Sequence, residues 1–384
     1  MTPSSAPKKT GTSVLVDAVR SPMGVKKGKL IGTRADELAA QVVKALIARQ
    51  PKLPLAEIDD VVLGCAFPEN TQGMLMARGV ALLAGIPLES GGKVVNRFCG
   101  SSMDAVHQLS QAILAGDVEC GIAVGVEDMF AIPMGGFNPS FHPRLYDMEY
   151  YIGMGETAEI LAKDLGISRE EQEEFAMRSH TKALAAWDKG AFANEVVPIG
   201  NNGFMVDHDE GPRAPDPDKI RSLKPAFTAD GTVTAATSSP ISLGASALIV
   251  ASEEFAKRHG LPVRARIVSR AVAGVDWKRM GMGPIPASEK ALERAGLTSE
   301  DIDFFELNEA FAAQSLYVLK KTGWDLDKVN VHGGAIALGH PLGASGARIL
   351  TTLINVLEQE DGKRGLATMC IGTGQGIATV IERG

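Results

Sequence analysis

Cysteine is scarce. The 384 residues hold four, Cys65, Cys99, Cys120 and Cys370, far apart and without a CxxC pair, which argues against a cysteine zinc site or a disulfide scaffold and fits a reducing compartment. No uncharged apolar run approaches the roughly 18 to 20 residues needed to cross a bilayer. Positive charge is in deficit: 39 Lys and Arg against 46 Asp and Glu leave a formal net charge of −7 and no basic cluster, so a phosphate-binding nucleic-acid surface is not expected. The opening "MTPSSAPKKTG" lacks the apolar core of a secretory signal and reads as an unstructured tail over residues 1–11. The closing "ERG" is not a peroxisomal address. Bacterial cytoplasm is the expected location, with a processed organellar-matrix form as the alternative.

What the chain does have is glycine, 42 residues, and 45% hydrophobic residues, enough for two or more core units. "TSVLVDAVR", "IDDVVLGCAF", "KVVNRFC" and "ECGIAVGVE" read as strands alternating with helices such as "RADELAAQVVKALIARQ" and "SSMDAVHQLSQAILAG". From Arg266 the order repeats in "ARIVSRAVAG", "PIPASEKALERAG", "IDFFELNE" and "AFAAQSLYVLKKTG", followed by "GGAIALGHPLGASGARILTTLINVLEQ" and "RGLATMCIGTGQGIATVIE". This is a duplicated α/β unit, with mostly parallel sheets covered by helices as the expectation. Residues 12–129 plus 238–265 would form one half and 266–384 the other. Residues 130–237 would be an inserted loop or lid domain, since six of the chain's 20 aromatics fall between Phe130 and Tyr151.

Four turns carry candidate chemistry. Cys99 lies just before a helix whose free N–H groups and dipole would lower a thiol pKa; taken alone, a small buried apolar residue is the plainer reading. His340 in "LGHPLGASG" occupies the matching turn of the second half, and a Cys–His pair is a standard way of activating a thiol. Cys370 ends a strand before "IGTGQG", where glycine backbone can approach a ligand and aim N–H groups at it. Asn308 in "LNEAF" suits either a water or the cap of the next helix.

Together, "CGS" at 99–101, "NEAF" at 308–311, "GHP" at 339–341 and "CIG" at 370–372 resemble the four active-site blocks of the thiolase family, in order and spacing, from about Val14 to Glu382. The likeness is greatest to degradative 3-ketoacyl-CoA thiolases, particularly the thiolase subunit of bacterial β-oxidation complexes. It implies a five-layered α-β-α-β-α core of two βαβαβαββ-type halves. It also implies ping-pong thiolysis: Cys99 is acylated, His340 activates it, Cys370 exchanges protons with the acetyl-CoA carbanion and with CoA, and Asn308 holds a water. The backbone N–H groups of Cys99 and Gly372 cradle an oxyanion. CoA is a co-substrate, and no metal or redox cofactor is implied. By the same resemblance Ser239, Phe227 and Phe311 hold the pantetheine arm, Met154 lines the acyl pocket and Arg213 meets the nucleotide end.

The partners so implied are CoA thioesters, a second copy in a homodimer or dimer of dimers, and a hydratase/dehydrogenase subunit. Condensation of two acetyl-CoA molecules is the alternative enzyme reading, and a silent thiolase-like binding protein the non-enzyme one. Departures from the family pattern are Gly153 where short-chain enzymes tend to carry His, Leu243 for Asp, Pro240 for a small residue, and His332 for Asn. Gly153 points to medium or long acyl chains.

Overall fold

The computed structural model describes residues 11–384; most of the tail expected over 1–11 lies outside the described residues. The first part of the chain forms β1 (Ser13–Arg20), the short β2 (Gly24–Val25), α1 (Ala35–Ala48), β3 (Asp60–Gly64), α2 (Met76–Leu83), β4 (Gly91–Val95), α3 (Ser101–Ala115) and β5 (Cys120–Asp128). Next come α4 (Pro143–Asp147), α5 (Met154–Leu165), α6 (Arg169–Asp188), the hairpin β6 (Ile199–Asn201) and β7 (Phe204–Val206), and α7 (Pro217–Arg221). The chain then returns as β8 (Ser242–Ser252) and α8 (Glu253–His259). The last part holds β9 (Ala265–Gly274), α9 (Pro284–Ala295), β10 (Phe304–Leu307), α10 (Ala312–Thr322), α11 (Ala335–Leu338), α12 (Leu342–Gln359), β11 (Arg364–Ile371) and β12 (Gln375–Arg383).

Strands run in the order β4-β3-β5-β8-β1 and continue as β9-β12-β11-β10. The junction is slight, Val14 opposite Arg266 and Leu15 opposite Ala265. Period-two alternation explains the layers, since successive strand residues point to opposite faces. Val61 and Leu63 face α1 and α2 in one core, while Val62 between them joins a second core with Met103 and Val106 of α3 and Leu350 and Leu353 of α12. On β11, Ala367 and Met369 enter that same central core, and Leu366 turns to a third with Ala291 of α9 and Val318 of α10. The result is five layers, with α3 and α12 buried between the two halves of the sheet.

Two expectations change. The sheet is mostly antiparallel: only β3 with β4, β3 with β5 and β10 with β11 are parallel. The β/α order was read as if every strand were reached by a crossover, but β11 and β12 form a hairpin, and β8 enters antiparallel between β1 and β5. The strand "KVVNRFC" also stops at Val95, after which Asn96 turns its side chain to Ala66 O and Phe98 takes a left-handed φ of 43°. In the second half the strand matching β4 shrinks to a single bridge, Phe305 with Val329.

Candidate active site

The turn bearing Cys99 is held by its own polar groups. Asn96 accepts the Phe98 N–H at 2.9 Å and donates to Ala66 O at 2.9 Å, while Gly100 and Ser101 donate their N–H groups to Arg97 O and Phe98 O. Those helix-entry N–H groups are therefore spent inside the turn. The expected lowering of the Cys99 pKa is not found: burial pushes the thiol up to about 11, against the opposing pull of the Gly372 N–H and its own N–H. The side chain remains half-buried, within reach of a ligand.

His340 follows Gly339, whose φ of 118° and ψ of 159° suit only glycine. Its N–H donates to Ser242 Oγ at 3.1 Å. Its Nδ1 lies 2.6 Å from Ser345 Oγ, and that hydroxyl gives its single proton to Pro341 O at 2.9 Å. Ser345 must then accept from Nδ1–H, which assigns the lone pair to Nε2. Burial, helped by the Arg348 charge, moves His340 down to about 3, so the imidazole is neutral. Asn308 Nδ2 reaches Nε2 at 3.4 Å. Asn308 does not cap α10, which starts at Ala312 behind an N-cap at Phe311; its buried Oδ1 has no hydrogen-bond partner among the described residues. Cys370 is buried near the end of β11, its thiol raised by burial and then by Cys99.

Close contacts between the two central helices bring these turns to one end of the layered core. Ser102 Oγ accepts the Ala347 N–H at 2.8 Å. A side chain at Gly125 would strike Ser102 at 2.5 Å and Gly343 O at 2.6 Å. Glu127 of β5 accepts N–H groups from Ala66 at 2.7 Å and from Gly343 at 2.8 Å, fastening both loops. Arg97 donates to Gln375 across the halves at 2.9 Å. Cys370 and the Gly372 N–H lie against Cys99, Asn308 lies against His340, and the Asn308 N–H donates to Thr368 O at 3.0 Å, two residues before Cys370.

The remaining candidates fall in two groups. A side chain at Gly372 would meet the Met154 sulfur at 3.3 Å, which places Met154 at the site. Phe227 and Phe311 stand edge to face at 5.8 Å, with Phe227 lying against Gly155 and 43% exposed. Ser239 donates its N–H to Ala310 O at 3.0 Å beside them. Arg213 is apart, lining a cavity of about 160 Å³ with His180, Lys219 and Leu223. Leu243 is buried in the first core, and Pro240 O accepts the Ser242 hydroxyl. His332 packs edge-on against Phe192 rather than at the thiols. Sequence reasoning overlooked Ser242, Ser345 and Glu127; the only local signal was a buried-periodicity serine inside the apolar start of α12.

Residues 13–254 match the thiolase N-terminal domain and residues 261–383 the thiolase C-terminal domain. The chain belongs to the thiolase family. This thiolase is 53% identical over 384 residues to a 3-ketoacyl-CoA thiolase of Shewanella loihica, covering 97% of this chain and 99% of the relative. It is 51% identical over 386 residues to one of Vibrio vulnificus, covering 96% and 99%. Human mitochondrial 3-ketoacyl-CoA thiolase in complex with CoA superposes with a TM-score of 0.92 at 36% identity, over 98% of this chain and 99% of that one. A Bacillus anthracis acetyl-CoA acetyltransferase does so with a TM-score of 0.89 at 40% identity and the same coverage.

Proposed function

We propose that this thiolase cleaves 3-ketoacyl-CoA with CoA, yielding acetyl-CoA and an acyl-CoA two carbons shorter, and that the five residues above perform the chemistry. What supports this is the approach of two thiols from opposite halves, together with a neutral imidazole on the matching turn whose Nε2 is the acceptor. Cys99 gives its proton to His340 Nε2 as the sulfur attacks the keto carbon. The oxyanion takes the N–H groups of Cys99 and Gly372 that face the sulfur in the free protein. Breakage of the Cα–Cβ bond leaves acyl-Cys99 and the acetyl-CoA enolate. The thioester oxygen of that enolate is stabilised by protonated His340 and a water held on Asn308, and its carbon takes the Cys370 proton. CoA then gives its thiol proton to the Cys370 thiolate and attacks the acyl group. Cys99 leaves and recovers its proton from His340. Each step is a proton or acyl transfer, and CoA enters as co-substrate.

The pantetheine arm would run over Ser239, Phe227 and Phe311 from the Arg213 cavity, where Lys219 adds a second cation for the nucleotide end. A Cβ at Gly153 would meet only the Glu156 carboxyl, at 3.8 Å, which supports medium or long acyl chains. Condensation of two acetyl-CoA molecules is the same path reversed. A silent binding protein would need a damaged nucleophile, base or acid, and all three are intact. In Cys99→Ser, no acyl adduct should form from 3-ketodecanoyl-CoA by intact-protein mass spectrometry. Adduct formation at the wild-type rate would overturn the assignment.

A homodimer is the proposed assembly. Strand β4 ends the sheet, and Met74, Leu75, Leu82, Leu83 and Leu88 stand exposed around it. Light scattering that returns a monomer would refute it. Co-purification tests the hydratase/dehydrogenase subunit. Bacterial relatives and four free thiols support the bacterial cytoplasm. Among the described residues no helix is long and apolar enough to cross a membrane.

A further inference from the structure

One carboxylate next to the catalytic carboxamide has no part in the chemistry above. Glu309 is 2% exposed. Its Oε2 accepts the Ser179 hydroxyl at 2.6 Å and the Ile336 N–H at 3.2 Å, and its Oε1 accepts Asn330 Nδ2 at 2.9 Å. Ser179 in turn accepts the Gly334 N–H at 3.1 Å. Asn330 brackets Leu307, accepting its N–H at 2.9 Å and donating to its carbonyl at 2.8 Å. A side chain at Gly334 would lie about 2.1 Å from the Glu309 carboxyl. One carboxylate therefore holds both the strand end that carries Asn308 and the short helix α11 that leads, through Gly339, into His340. Burial pushes the Glu309 carboxyl pKa up, and its three hydrogen bonds from Ser179, Asn330 and Ile336 oppose that shift.

We infer that Glu309 is a positioning residue whose bonds to Ser179, Asn330 and Ile336 set the spacing between Asn308 and His340. The inference rests on the proposed roles of those two residues. Neither Glu309 nor Ser179 touches the reacting groups. Ser179 belongs to α6, one residue before the His180 that lines the Arg213 cavity, so the clamp is anchored on the element that forms the wall of the proposed coenzyme end.

Glu309→Gln tests this at nearly constant volume. Asn330 cannot turn its amide, because both ends already bond Leu307. A glutamine oxygen placed toward Ser179 and Ile336 therefore sets its NH₂ against Asn330 Nδ2, and the flipped amide sets it against the Ile336 N–H. The expected result is a fall in kcat for thiolysis of about 10- to 100-fold, by analogy with the loss of outer hydrogen-bond partners of metal ligands. KM for either substrate should stay within threefold. Ser179→Ala leaves the carboxyl group in place and removes the hydroxyl that donates to it and accepts the Gly334 N–H; it decides the matter if Glu309→Gln does not fold. For it kcat should fall about tenfold, with unchanged KM and a cooperative melt. A folded Ser179→Ala enzyme with kcat within twofold of wild type would overturn the inference. So would a loss expressed in KM alone. Failure of the underlying functional reading would show separately, as a wild-type chain without thiolysis activity.

Discussion

Ser345→Ala removes one oxygen and tests the tautomer on which the proposed base depends. The 2.6 Å contact from His340 Nδ1 is far shorter than the 3.4 Å contact at Nε2, so Ser345 is the main determinant of where the imidazole proton resides. Without it the Nδ1–H is a buried donor with no acceptor, at a cost of about 1–3 kcal/mol. The proton then shifts toward Nε2, and the otherwise unpartnered Asn308 Oδ1 can swing round to accept it. At RT of about 0.6 kcal/mol, that cost lowers the working tautomer by about 5- to 150-fold. Steady-state thiolysis at saturating CoA should show this as a matching fall in kcat, with KM within threefold because Ser345 faces no substrate. Over 384 residues the melting temperature should fall by about 1 °C per kcal/mol lost. A kcat within twofold of wild type, together with a lowered melting temperature, would show that the hydroxyl only fills space in α12.

Gly339→Ala should lower kcat more than tenfold and destabilise the fold by about 1–3 kcal/mol, because a Cβ there would approach Ser242 Oγ to 2.7 Å at a φ of 118°; wild-type kinetics would refute this. Gly153→His should shift preference from 3-ketodecanoyl-CoA toward acetoacetyl-CoA by about 10- to 200-fold in kcat/KM, and an unchanged ratio would remove Gly153 from the acyl path. Buried His107, His180 and His340 titrate at about 3, 4 and 3 in the folded chain, below their unfolded value of about 6.5. Their stabilisation is thus complete above pH 6.5 and is lost as pH falls toward the folded values. At pH 5 each has forfeited about 2 kcal/mol, and His107→Gln should flatten the fall in unfolding free energy between pH 6.5 and 5 by that amount. A slope equal to wild type would contradict the assignment.

The helices and most strands were legible because their patterning is local: α3 begins at Ser101 and α9 ends before Gly296 as periodicity and capping dictate. The matching turns of Cys99 and His340 were read from the duplication, whereas Asn308 and Cys370 were picked out by the resemblance of "NEAF" and "CIG" to thiolase blocks. Three things were not. Strand direction depends on β8 returning from a distant part of the chain to lie between β1 and β5. The ionisation of Cys99 depends on burial and on N–H groups that the turn keeps for itself. The supporting groups Ser242, Ser345, Glu127 and Glu309 act through contacts between 4 and 216 residues apart, for which sequence spacing offers no rule.

The slight junction between β1 and β9 leaves much of the cohesion of the two halves to α3 and α12, and the proposed nucleophile sits on one half while the proposed base and second thiol sit on the other. On those roles, reactivity waits on assembly of the two halves. On the proposed roles, Cys99 lacks both its base and the Gly372 amide until α12 docks against β5, so recovery of turnover during refolding would report the closing of that seam.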